Sequence, residues 1–310
     1  MDIPEIPYQE SFGLPQPDWE QFRGRVEALP GDVDLNALWT EAARRWLLEL
    51  GRNLGREYCL EESESFLLLS AREKRLRRQL LDTGERTLGC LHELLGELED
   101  TQVVGKFACI AFRSRDSYYS YISHFYSEGR WGASGGVFVP QGYQHFALNH
   151  GDPWFQEIAF VHELTHEIVN ERGLPLWVEE GITQLAETSV SPRDLLHDVD
   201  RREAELQRSF WRRRGLGGFW SGESFFVPRS MDPSYTLARI LISSMIGRGR
   251  EKYVEFVKAA KREDAGDAAS RSVYGWGVEE WARQFLGEGD WSPRPSEDEK
   301  EPPGPAATTD

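Results

Sequence analysis

The chain has 310 residues, of which 39% are hydrophobic and 12% aromatic, and its formal net charge is −16. This length and composition predict one large domain or two small ones and exclude a largely disordered chain. The acidic balance argues against nucleic acid as a partner, because phosphate binding requires a basic face.

Targeting and redox features are sparse. The N-terminus has no basic start followed by an apolar run, and no stretch approaches the ~18 consecutive apolar residues of a membrane span. The three cysteines, Cys59, Cys90 and Cys109, have neither metal-ligand spacing nor the density of a disulfide framework. We therefore expect a cytoplasmic protein that has no membrane partner.

The N-terminal half is predicted to alternate helices with short strands. Residues 1–60 read as a proline-rich arm with a short helix near 19–29 and a long amphipathic helix over 35–54. Residues 61–173 are predicted to form a second region that carries a small sheet. Its predicted elements are strands at 65–70, 106–112, 135–140 and 145–149 and helices at 72–98 and 114–126.

The C-terminal half is predicted to be a helical subdomain over residues 174–287. Its predicted helices cover residues 177–188, 191–214, 233–247, 251–263 and 278–286. The glycine-rich stretch 215–224 is predicted to be a flexible connector or the wall of a substrate pocket. Residues 288–310 are acidic and rich in proline, which predicts a disordered tail.

The sequence HELTH, residues 162–166, lies in a segment with clear helix punctuation. Asp152 can cap the helix, Pro153 suits its first position, and Gly173 can end it. Side chains four residues apart lie on the same helix face, so the imidazoles of His162 and His166 can reach one metal ion. Glu163, one position round the helix, can then take a proton from water at that ion.

A catalytic zinc ion requires a third protein ligand and one open position. The turn after the HELTH helix favours a return of the chain, and the next helix starts with Glu179 and Glu180. Glu180 is the better ligand, because Gly181 beside it permits close approach of backbones, whereas Glu179 should point elsewhere. The alternative ligands are His145 and His150, which periodicity does not exclude.

HELTH followed by PLWVEEGITQLAE resembles the gluzincin metallopeptidases of the Peptidase MA-like superfamily, and the similarity covers about residues 60–287. The resemblance implies an α+β, zincin-like fold with a small mixed sheet, an active-site helix and a helical C-terminal subdomain. It also implies specific roles for the matching residues. The zinc ligands would be His162, His166 and Glu180, and the general base would be Glu163. Glu187 would orient one of the ligand histidines. The oxyanion donor would be Tyr235, with Tyr253 behind it.

The activity that this resemblance implies is zinc-dependent hydrolysis of peptide bonds in a peptide or protein substrate. An edge strand at 135–140 or 145–149 would hold the extended substrate by strand addition. The glycine-rich exopeptidase signature of the larger aminopeptidases is missing, so aminopeptidase activity is not expected. The alternatives are a catalytically silent regulatory or binding protein that holds zinc, a hydrolase of non-peptide amides, and a structural protein without metal. Cleavage specificity and oligomeric state stay open.

Overall fold

The computed structural model describes residues 3–96, 104–126, 135–170, 172–190 and 201–293. These residues form an α+β protein with a small mixed sheet and many helices, as predicted. They divide into two compact units. The first holds the described residues up to 170 and the end of one helix from Ala186, and the second holds residues 172–185 and 201–293.

The first unit contains the strands and the first five helices. Its elements are β1 (Tyr8–Ser11), β2 (Leu14–Pro17), α1 (Trp19–Glu27), α2 (Leu35–Leu54), β3 (Cys59–Glu62), β4 (Phe66–Ser70), α3 (Lys74–Leu95), β5 (Phe107–Ala111), α4 (Arg115–Ile122), β6 (Gly136–Val139), β7 (His145–Leu148) and α5 (Pro153–Asn170). The four predicted strands are confirmed as β4, β5, β6 and β7. The sequence did not predict β3 or the hairpin of β1 and β2.

Five strands form one mixed sheet in the order β3-β4-β5-β7-β6. The β4–β5 and β5–β7 pairs are parallel, whereas β3 and β6 pair antiparallel with their neighbours. β7 lies between β5 and β6, so it cannot accept a further strand. Of the two strands predicted to hold an extended peptide, β6 is therefore the one that lies at an edge.

The two faces of this sheet are covered by different helices. One face, which we call the α2 face, packs on α2 through side chains such as Leu69 and Ile110. The opposite face, the α5 face, packs on α3 and α5, where the Phe66 and Phe146 rings contact Phe160 at centroid distances of 5.3 and 5.5 Å. Alternate residues of each strand point to opposite faces, as the pleat requires.

Residues 3–60, for which the sequence predicts a proline-rich arm and helices, pack into the first unit. Trp19 of α1 contacts Trp46 of α2 with ring centroids 5.5 Å apart, and both rings belong to the core on the α2 face. The β1–β2 hairpin turns through Phe12 and Gly13, which have φ values of 50° and 74°. Two consecutive residues with positive φ are typical of the type I′ turn that suits a two-residue hairpin loop.

The second unit is helical and has an aromatic core. Its elements are α6 (Leu176–Val190, of which the end from Ala186 belongs to the first unit), α7 (Arg201–Arg214), α8 (Gly217–Ser221), α9 (Met231–Gly247), α10 (Arg250–Ala259), α11 (Asp267–Tyr274) and α12 (Val278–Leu286). Helix α11 was not predicted. The start of the helix predicted at 191–214 lies outside the described residues. None of the described helices combines the length and apolar character needed to cross a bilayer.

The prediction for residues 215–224 was wrong in both of its forms. This stretch forms α8 and the start of a 3₁₀ turn, Glu223–Phe226. Phe219 and Trp220 are buried there, and the Trp220 ring lies 5.6 Å from that of Trp177. Both rings therefore belong to the core of the second unit. Burying them stabilises the short helix more than its glycines weaken it.

The start of the predicted tail is also packed in the second unit. Trp291 is 3% exposed, and its backbone carbonyl accepts a hydrogen bond from Trp220 Nε1 at 2.9 Å. The prediction of disorder is therefore wrong for residues 288–293. Residues 294–310 lie outside the described part of the chain.

Candidate metal centre

Helix α5 begins where the sequence predicts. The Asp152 carboxylate accepts a hydrogen bond from the backbone N–H of Phe155 at 2.8 Å, and Pro153 is the first helical residue. Gly173 follows the helix with a φ of 62°, which suits a residue without a side chain. Trp154, the second residue of the helix, is 44% exposed, so it lies outside the buried face of the helix.

His162 and His166 lie side by side on α5, and both are half-buried. Their ring centroids are 4.6 Å apart, as expected for side chains one helical turn apart. The buried side of the helix is apolar and packs on the sheet through residues such as Phe160, Val161 and Leu164. The packing of that side fixes the direction in which the two imidazoles point.

Glu187 of α6 binds the first of these histidines. Its carboxylate lies 2.7 Å from Nδ1 of His162, and the two side chains are 17% and 30% exposed. An ionised carboxylate only accepts hydrogen bonds, so Nδ1 is the nitrogen that donates, and in the neutral ring the lone pair then lies on Nε2. This tautomer is the one in which Nε2 can ligate a metal ion.

Glu180 completes a group of three potential ligands. One ligand atom from each of His162, His166 and Glu180 lies within 4.8 Å of the other two. Donors at ~2.0–2.2 Å from a tetrahedral zinc ion are roughly 3.5 Å apart, so small side-chain rotations suffice to surround an ion. Two imidazole nitrogens and one carboxylate are a donor set that zinc accepts, and a metal ion fits this group.

The neighbouring glutamate, Glu179, has a different role. Its carboxylate accepts a hydrogen bond from Arg262 at 2.9 Å, and its side chain is only 6% exposed. Consecutive residues of a helix point about 100° apart. The structure thus separates the two glutamates, with Glu180 in the group of potential ligands and Glu179 in an ion pair.

Neither of the alternative histidines belongs to the group. His145 of β7 is 1% exposed, and its two ring nitrogens lie 2.7 Å from the Tyr121 hydroxyl and 2.7 Å from the Tyr143 carbonyl. Burial lowers the pKa of His145 to about 4, so this imidazole is neutral at pH 7. His150 is exposed at the end of β7 and lies outside the group of three.

Glu163 contacts the edge strand. Its carboxylate accepts a hydrogen bond from the backbone N–H of Phe138 in β6 at 3.2 Å. A Cβ atom at Gly136 would make an ordinary contact of 3.4 Å with Glu163 Cγ, and its closest neighbour would be Leu148 Cδ2 at 3.0 Å. The predicted base thus lies beside β6, one of the two strands for which the sequence predicts substrate binding.

The sequence did not single out Tyr126, which lies on the other side of the same edge residue. Its hydroxyl donates to the Phe138 carbonyl at 2.9 Å. Burial and the nearby charge of Glu163 raise the pKa of Tyr126, so the phenol stays protonated at neutral pH. No local pattern could have revealed this contact, because it depends on the packing of the segment after α4 against β6.

Tyr235, the predicted oxyanion donor, is half-buried in α9. Its ring contacts that of Phe225 at a centroid distance of 5.5 Å. Tyr253, the residue predicted to lie behind it, is completely buried in α10. Tyr253 is thus a core residue, and the role of Tyr235 in catalysis stays a prediction.

The chain matches no protein-family model, and no curated protein shows significant similarity to it. The geometry of the group formed by His162, His166 and Glu180 is therefore the observation on which a functional conclusion must rest.

Proposed function

We propose that the protein is a zinc-dependent peptidase with a zincin-like fold of the gluzincin type. The observation that supports this proposal is the group of His162, His166 and Glu180, in which Glu187 holds His162 in the ligating tautomer. A plain surface helix would give no reason for a carboxylate to orient one histidine while a second, nearly buried carboxylate faces the pair.

Three side chains would hold the ion: His162 and His166 through ring nitrogens, and Glu180 through its carboxylate. When bound, zinc would supply a Lewis acid that polarises a carbonyl and brings the pKa of water toward ~7. Glu187 would keep Nδ1 of His162 protonated and the ring in place. This contact would also raise the basicity of the ring as a ligand.

Glu163 would be the general base. It lies next to His162 in α5 and at the edge strand, within hydrogen-bond distance of the Phe138 N–H. In hydrolysis its carboxylate would take the proton of the attacking water and then pass it to the leaving amine. The hydrogen bond from the Phe138 N–H would hold this carboxylate in place beside the edge strand.

The substrate would lie along β6. In an antiparallel edge strand, alternate residues direct their N–H and C=O groups outward, and an extended peptide can pair with them. Phe138 is such a residue, since its N–H and C=O bind Glu163 and Tyr126 instead of β7. A peptide is the class of substrate that this edge fits, because it offers the complementary pattern of donors and acceptors.

The proposal is tested with Glu163→Gln, which keeps the shape of the side chain and removes the base. We expect one zinc ion per chain in both proteins by elemental analysis, and a loss of roughly 10²- to 10⁴-fold in the cleavage rate of a quenched-fluorescent peptide library. Glu167→Gln, on the same helix and also half-buried, is the matched control and should keep both zinc and activity.

Each other outcome has a definite meaning. Wild type without zinc, even after incubation with zinc and dialysis, would contradict the metal centre. Zinc in the wild type without cleavage of any peptide or of casein would favour a silent zinc-binding protein. Full activity in Glu163→Gln would contradict the role of Glu163 while leaving the metal centre intact.

A further inference from the structure

The outward-facing groups of Phe138 are both occupied within the chain. Gly135 accepts from the backbone N–H of Asn149 at 2.8 Å, which sets the phase of the β6–β7 ladder. Alternate residues then point their backbone groups away from β7, and Phe138 is one of them. Its N–H donates to Glu163 and its C=O accepts from Tyr126.

These two contacts imitate the pairing that an extended peptide would make. A strand added at this edge would accept from the Phe138 N–H through a carbonyl and donate to the Phe138 C=O through an amide. The carboxylate of Glu163 stands in place of that carbonyl, and the phenol of Tyr126 stands in place of that amide. Both positions of the edge residue beside the proposed base are thus already covered.

Tyr126 is well fixed in this position. Its backbone N–H donates to the Ile122 carbonyl at the end of α4, at 2.9 Å, and its side chain is half-buried. Burial and, to a lesser extent, the charge of Glu163 raise the pKa of Tyr126, and a protonated phenol remains a hydrogen-bond donor. The phenol therefore competes with any incoming donor for the Phe138 carbonyl.

We propose that Tyr126 covers the substrate-pairing carbonyl of Phe138 in the free protein and that a bound peptide displaces its hydroxyl. This inference rests on the proposed function, because it assumes that an extended peptide pairs with β6. Tyr126 is then a positioning residue that weakens substrate binding. When the peptide binds, the hydrogen bond between the Tyr126 hydroxyl and the Phe138 carbonyl is broken and one from a peptide amide replaces it. The loss of the first bond lowers the affinity for the peptide.

The inference is tested by Tyr126→Phe in a background that binds without cleaving. Glu163→Gln supplies that background, since glutamine keeps a side-chain oxygen that can accept from the Phe138 N–H. The probe is the peptide that wild type cleaves best from the quenched-fluorescent library, labelled for fluorescence anisotropy. We expect Tyr126→Phe to tighten binding roughly two- to tenfold, the range of one net hydrogen bond.

The second part of the experiment identifies the peptide amide that donates to the Phe138 carbonyl. In a series of probes, each backbone amide near the scissile bond is replaced in turn by an ester, which cannot donate. The gain from Tyr126→Phe should vanish for the one ester that faces the Phe138 carbonyl and persist for the others. Tyr119→Phe, a half-buried tyrosine of α4, is the matched control and should leave all affinities unchanged.

The outcomes separate the two proposals. If Tyr126→Phe binds the peptide equally or more weakly while its thermal midpoint is unchanged, Tyr126 supports the strand and does not cover it, and the peptidase proposal stands. If the gain is present for every ester, the Phe138 carbonyl is not the acceptor and the inference is wrong. If zinc-loaded wild type cleaves no peptide, the peptidase proposal fails and the inference fails with it.

Discussion

The two faces of the sheet hold histidines in opposite ways. On the α2 face, His145 is 1% exposed, and the Tyr121 hydroxyl and the Tyr143 carbonyl contact its two nitrogens. On α5, the helix that covers the α5 face, the side chain of His162 is 30% exposed, and Nδ1 of the ring contacts Glu187. Both rings have a defined tautomer, yet only one has its lone pair among other potential ligands.

The difference shows what separates a core histidine from a potential metal ligand. Burial in a dry core lowers the pKa of His145, and a hydroxyl and a carbonyl contact its two nitrogens, which gives a neutral structural residue. A carboxylate on one nitrogen, with a second imidazole and a second carboxylate close by, gives a potential ligand. The identity of the residue is the same, and its neighbours decide the chemistry.

The largest expected effect separates the two glutamates of α6. Glu180→Ala removes a proposed ligand and should reduce zinc affinity by more than the roughly 10- to 100-fold typical of outer partners. Glu179→Ala removes the partner of Arg262 and should keep one zinc per chain. Elemental analysis after dialysis against a weak chelator, with circular dichroism as a check of folding, measures both. Equal zinc in the two variants would mean that the third ligand is assigned wrongly.

The next largest expected effect on zinc affinity concerns Glu187, the hydrogen-bond partner of His162. Glu187→Ala removes the acceptor of Nδ1–H and should lower zinc affinity roughly 10- to 100-fold, because the ring loses its fixed tautomer and orientation. Glu187→Gln keeps an accepting oxygen and should lose less. Competition with a fluorescent zinc chelator measures the two affinities. Unchanged affinity in Glu187→Ala would show that the contact is a surface hydrogen bond without influence on the metal.

The smallest expected effect is on the pH dependence of stability and concerns His145 on the α2 face. The pKa of His145 is lowered to about 4 in the folded protein, whereas the unfolded chain has the ordinary value near 6.5. Between these values the unfolded state binds the additional proton, so stability is lost as the pH falls from about 6.5 toward 4. Between pH 7 and pH 5, His145 should cost about 2 kcal/mol of the free energy of unfolding.

His145→Gln is the comparison for this measurement, since glutamine keeps polar atoms and does not titrate in this range. Urea unfolding at pH 7 and pH 5 gives the loss of stability for each protein, and their difference isolates His145 from the other titrating groups. The same loss in both proteins would mean that this histidine does not titrate out of the core as its burial requires.

The parts of the site that local sequence determines could be predicted. Asp152 and Pro153 mark the start of α5 by capping and by a fixed φ, and Gly173 marks the turn after it through its positive φ. The spacing of His162 and His166 then places both imidazoles on one side of a helix without further information. These signals need no knowledge of the tertiary structure.

The remaining parts depend on contacts between distant segments. Strand β3 has exposed and half-buried residues and no apolar run, so periodicity gives no sign of it. Whether β6 or β7 lies at the edge follows from the order of the strands, which side-chain alternation does not encode. Tyr126 contacts Phe138 only because the segment after α4 packs against β6.

Gly181, beside Glu180 in α6, sets a limit on how far this centre can vary. A Cβ atom there would lie 2.5 Å from Ile242 Cγ1 and 2.8 Å from the Ala238 carbonyl, so α6 and α9 meet almost backbone to backbone. A single added methyl group would force the two helix axes apart and shift the Glu180 carboxylate with its helix. The position of the Glu180 carboxylate thus depends on Gly181, which is not one of the potential ligands, because only a residue without a side chain fits between the two helices.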